Sequence, residues 1–116
     1  MTVKGEVTYL LSKMSVLHKV CDAKDLEPGQ GRTFSVGGRS IALFNVDGNF
    51  HAIESECTHE GGPLGDGPLR GTRVLCPWHG AEFDVTTGAA LSPPADHAVS
   101  PFRVVVEAGE VTVELP

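Results

Sequence analysis

Glycine and proline interrupt this chain too often for it to be helical. Fourteen glycines and eight prolines in 116 residues exceed their usual combined share of ~12%. Glycine inside a helix loses backbone entropy, and proline removes a hydrogen bond and clashes with the preceding turn. No segment carries an apolar stripe through three helical turns. What remains are short runs of alternating apolar and polar residues, broken at intervals by turn-forming pairs, which is the pattern of antiparallel hairpins.

The runs place strands over 17–21, 33–36, 40–46, 49–54, 102–107 and 111–115. Gly37-Gly38, Asp47-Gly48 and Ala108-Gly109 supply the tight turns between them, because the favoured hairpin turns need positive φ at their central positions. Residues 25–31 read as a loop. The fold class is therefore all-β. A chain of 116 residues is long enough for one self-supporting core and short for two domains. The first fourteen residues fall outside the strand pattern and read as a loose extension (1–14), leaving 15–116 as the domain.

Charge and cysteine usage narrow the partners. A formal charge of −6 repels phosphate backbones and offers no basic patch for counterion release, so nucleic acid and anionic membranes are poor partners. No apolar run reaches the roughly 18 residues of a membrane span, and the N-terminal apolar patch is short for a secretion signal. Three cysteines, Cys21, Cys57 and Cys76, are too few for a disulfide scaffold and suit a reduced, cytoplasmic setting. The glycine-rich run from Gly65 to Gly71 is no phosphate loop: its glycine spacing is wrong and no helix follows.

Two of the three cysteines stand beside histidines, as Cys57-Thr-His59 and Cys76-Pro-Trp-His79, with sixteen residues between the pairs. Neighbouring Gly61, Gly62, Pro63, Pro77 and Gly80 allow two loops to approach, so that Cys57, His59, Cys76 and His79 converge on metal. Two thiolates and two imidazoles suit a tetrahedral zinc as well as iron. Zinc sites, however, usually group like ligands, whereas here each loop carries one of each type. A binuclear centre, one metal taking both cysteines and the other both histidines, accounts better for the mixture.

These residues resemble the Rieske iron–sulfur signature, and the resemblance extends to Gly61, Pro77, Gly80, Phe83, Asp84, Gly88 and the run Ser92-Pro93-Pro94, covering roughly 17–115. It implies three antiparallel β-sheets with a two-loop cluster-binding subdomain at about 55–95, and one [2Fe-2S] cluster per chain held by Cys57, His59, Cys76 and His79. It also implies a soluble ferredoxin, an electron-transfer protein rather than an enzyme. Such a carrier docks transiently with a flavin-dependent reductase and passes single electrons to a terminal oxygenase or hydroxylase. The small subunit of an assimilatory nitrite reductase is a second reading, and a zinc-stabilised interaction module a third, from a different class.

Departures from the respiratory members of that family carry information. Their inter-loop disulfide is replaced by Gly62 and Trp78, and their cluster-facing serine and tyrosine by Ala81 and Phe83. Fewer donors to sulfur place the expected potential toward the low end of the Rieske span of about −150 to +300 mV. Only 22 residues with one histidine follow Pro94, which leaves no room there for the second, mononuclear iron of an oxygenase. Trp78, Leu64 and Pro63 read as a hydrophobic shield, Cys21 as a small buried apolar residue, and His18, His51 and His97 as non-ligands. Glu60, Asp66 and Glu82 read as solvated surface.

Overall fold

A computed structural model describes residues 16–57, 62–78, 80–95 and 97–116. The expected extension over 1–14 lies outside the described residues. Along the chain run β1 (Val16–Asp22), β2 (Gly31–Val36), β3 (Arg39–Val46), β4 (Asn49–Glu54), β5 (Leu69–Arg70), β6 (Arg73–Leu75), β7 (Glu82–Asp84), β8 (Pro101–Phe102), β9 (Val104–Glu107) and β10 (Glu110–Leu115). Single 3-10 turns occupy Ala23–Asp25 and Leu64–Asp66. The strands form three antiparallel sheets, ordered β1-β10-β9, β2-β3-β4-β8 and β5-β6-β7.

The paired residues expected at the hairpin turns adopt the conformation that two-residue loops require. Gly37 and Gly38, Asp47 and Gly48, and Ala108 and Gly109 all have positive φ, matching the twist of the flanking strands. Ala108 does so as a non-glycine residue, at φ 51°.

Strand β3 organises the interior. Ile41, Leu43 and their neighbours Ala42 and Phe44 are all fully buried, but successive side chains point to opposite faces. Ile41 and Leu43 join Leu26, Val36, Ala52, Val111, Val113 and Leu115 in one core. Ala42 and Phe44 join a second core with Ile53, Leu64, Val74, Phe83, Val85 and both Cys57 and Cys76. A strand buried on both faces reads as a continuous apolar run rather than an alternating one, which is how Ile41-Ala-Leu-Phe44 appears in the sequence.

One strand expected from the alternation is in fact two. The run 102–107 divides at Arg103, with Phe102 pairing to Ala52 in the second sheet and Val104 to Val113 in the first. The chain crosses between sheets there. Arg103 stays outside both ladders, its carbonyl accepting the Glu114 N–H at 2.9 Å. The third sheet carries no alternation signal, because its strands are two or three residues long.

A partly buried hydroxyl pair joins the second sheet to the segment that follows β4. Ser55, fully buried, has its hydroxyl 2.8 Å from that of Thr33. Its carbonyl accepts the Leu64 N–H at 2.6 Å. Residues on either side of the first cysteine loop are thereby tied to the sheet.

Candidate metal centre

The two cysteines begin loops of the same construction. Cys57 donates its backbone N–H to the Gly62 carbonyl at 2.8 Å, and Cys76 donates its own to the Ala81 carbonyl at 2.7 Å. Both loops therefore close across five residues. Flanking pairs prolong each closure, Glu56 bridging Pro63 and Leu75 pairing with Glu82. In the second loop Gly80 adds an N–H to the Cys76 carbonyl at 2.9 Å, and its φ of 76° favours a residue without Cβ.

Both cysteines are buried and members of one apolar core. The loops meet at Gly62, where a Cβ would stand 2.5 Å from Cys76 Sγ and 3.1 to 3.2 Å from the Trp78 ring. The two positions singled out for lacking a cross-link are thus in contact. His59 and His79, the remaining candidate ligands, lie outside the described residues, as do Gly61 and Glu60. Among the described residues no three His, Cys, Asp or Glu side chains gather into a metal-binding group.

The side chains around the thiols sort by burial. Leu64, Ala81 and Phe83 are fully buried, and Pro63 is half-buried. Trp78 is 56% exposed and Leu91 is 42% exposed. Leu91 donates its N–H to the Glu82 carbonyl at 2.7 Å, and Ser92 Oγ accepts the Glu82 N–H at 3.0 Å. This fastens the Ser92-Pro93-Pro94 run to β7. Glu82 is half-buried and pairs with Arg73 at 3.5 Å, so it is not simply solvated surface. Asp66 is exposed, as expected.

The other candidates separate from the site. Cys21 is half-buried on β1 against the other core, and burial pushes its thiol pKa up, with Asp25 adding to the rise. A thiol held protonated is a poor nucleophile and ligand. His18 and His51 are half-buried and His97 is exposed. Sequence reasoning missed the Thr33–Ser55 pair and the contact at Gly62. Neither leaves a periodic signal, since each depends on residues distant along the chain.

Comparison with known proteins agrees with this geometry. A family model described as the Rieske [2Fe-2S] domain matches residues 16–103. Apoptosis-inducing factor 3 of Mus musculus is 42% identical over 94 residues, 81% of this chain but only 16% of that protein. Ferredoxin CarAc of Metapseudomonas resinovorans is 41% identical over 96 residues, 82% of this chain and 90% of the relative. Among solved structures, the ferredoxin of carbazole 1,9a-dioxygenase from Nocardioides aromaticivorans IC177 superposes with TM-score 0.82 at 29% identity, covering 84% of this chain and 96% of the other. A chain from a complex of reduced oxygenase and oxidised ferredoxin in carbazole 1,9a-dioxygenase gives 0.79 at 39%, over 84% and 92%. A putative NADH-dependent nitrite reductase small subunit from Mycobacterium tuberculosis gives 0.78 at 25%, over 88% and 96%. With the family model matched over most of the chain, from β1 through β8, the chain belongs to the Rieske [2Fe-2S] domain family, whose ferredoxins carry one [2Fe-2S] cluster.

Proposed function

We propose that Cys57, His59, Cys76 and His79 hold the [2Fe-2S] cluster, and that the protein is a one-electron carrier between a flavin-dependent reductase and a terminal oxygenase. In this reading 55–95 is the cluster-binding subdomain of a single domain over 15–116. The observation that carries it is the pair of equivalent loops, each opening on a buried cysteine and closed by the backbone N–H of that cysteine. The donor set fits the group: buried thiols whose burial would be costly for a thiolate alone suit a cationic iron, and a glycine leaves room beside Cys76 Sγ.

When bound, the cluster supplies a reversible one-electron couple. The chain's own residues hold it and limit water. Leu64, Val74 and Phe83 fill the core behind the thiols, and Ala81 and Phe83 bring no hydroxyl to the sulfurs, so the potential lies in the lower part of the Rieske range. Exposed Trp78 and Leu91 give the partners an apolar surface beside the second loop. The oxygenase-linked reading is favoured over the nitrite reductase one by identity: 41% to ferredoxin CarAc against 25% to the nitrite reductase small subunit. Among the described residues no helix is long and apolar enough to cross a membrane.

The test is to load the protein with iron and sulfide and add catalytic amounts of a flavin-dependent ferredoxin reductase with NADH. Bleaching of the visible spectrum, followed by reoxidation on adding a ring-hydroxylating oxygenase with its substrate and oxygen, is the expected result. A cluster that neither enzyme reduces nor reoxidises would contradict the carrier assignment.

A further inference from the structure

We propose that Trp78 is a positioning residue for the cluster, its indole resting on Gly62 so as to clasp the two cysteine loops together and keep water from Cys76 Sγ. This rests on the ligand assignment above. One residue joins three parts of the site: the Gly62 carbonyl receives the Cys57 N–H at 2.8 Å, while its Cα face meets both Cys76 Sγ and the Trp78 ring so closely that a Cβ would fall 2.5 and 3.1 Å from them.

Exposure separates this role from ordinary core packing. Trp78 is 56% exposed, whereas Leu64 and Phe83 are fully buried. Removing the indole therefore takes little from the core but uncovers the glycine face on which the loops meet. The position also reports on itself, because Trp78 is the only tryptophan. A visible-absorbing cluster nearby quenches indole emission, and departure of the cluster restores it.

The experiment follows iron release from the loaded protein into excess chelator, by visible absorbance and tryptophan fluorescence, with far-UV circular dichroism as a check on the fold. Trp78→Ala releases iron at least tenfold faster than wild type with an unchanged dichroism spectrum. Trp78→Phe, which keeps a flat ring, stays within about threefold of wild type. Wild-type emission rises in step with the loss of visible absorbance. Release from Trp78→Ala at the wild-type rate, or emission indifferent to the cluster, would overturn the clasp while leaving the ligand assignment standing. Wild-type protein that takes up no iron and sulfide overturns both.

Discussion

The two faces of β3 look onto interiors built by different means. On one, Ile41 and Leu43 pack against Val111, Val113 and Leu115, beside strands β1, β2 and β10 of six or seven residues. On the other, Ala42 and Phe44 meet Cys57, Cys76, Val74 and Phe83, enclosed by strands of two or three residues and by loops. The first interior is closed by backbone pairing and apolar burial alone. The second has two thiols in its wall and glycines at its tightest approaches, so its loops depend on what those thiols bind.

Substitutions can break this contrast. The largest effect is expected from Cys57→Ser or Cys76→Ser, which should abolish the visible absorption of the loaded protein while the far-UV spectrum of the β base persists. Collapse of the whole spectrum would mean that the two interiors are not separable. Next comes Phe83→Ala, which removes a fully buried ring and should cost about 3–5 kcal/mol in denaturant unfolding, against about 1 kcal/mol for Ile41→Val on the opposite face. Equal losses of cluster at matched stability would argue against a special dependence on the thiol side.

Smaller effects sharpen the picture of the base. Ala108 sits at φ 51° in the β9–β10 turn, a conformation disfavoured for residues with a Cβ. Ala108→Gly should raise unfolding stability by about 0.5–1 kcal/mol, the relief of strain exceeding the added chain entropy, without altering the visible spectrum. The smallest effect concerns Asp84. Burial alone would raise its carboxyl pKa, but hydrogen bonds from the Thr86 hydroxyl and N–H, at 2.6 and 2.8 Å, outweigh it and hold the group below the usual carboxylate range. A depressed folded value contributes stability above the unfolded carboxylate range and loses it as pH falls through the folded value. Asp84→Asn should therefore be less stable near neutrality, by at most about 1 kcal/mol given its solvent access, and the gap should close in acid.

The same division explains what the sequence disclosed. Strands of the base were legible because alternation and paired turn residues are local, and even the continuous run through β3 reflects burial on both faces. The cysteine–histidine pairs were legible because their chemistry is unusual at any spacing. The break at Arg103 was not, since a strand that changes sheets keeps its alternation. The sheet β5-β6-β7 was too short to show a period, and its presence followed from family resemblance. Gly62 looked like one loop glycine among many; only the folded chain brings Cys76 and Trp78 against it. Trp78 reads as a shield from its apolar character, which does not by itself decide that it stands half in solvent.

Pulsed electron paramagnetic resonance on the reduced, iron- and sulfide-loaded protein tests the ligand set most directly. The account predicts an axial signal of low average g with strong couplings to two imidazole nitrogens, one removed by His59→Cys and the other by His79→Cys. A signal without nitrogen coupling, or a colourless protein holding a single zinc and no inorganic sulfide, would contradict it.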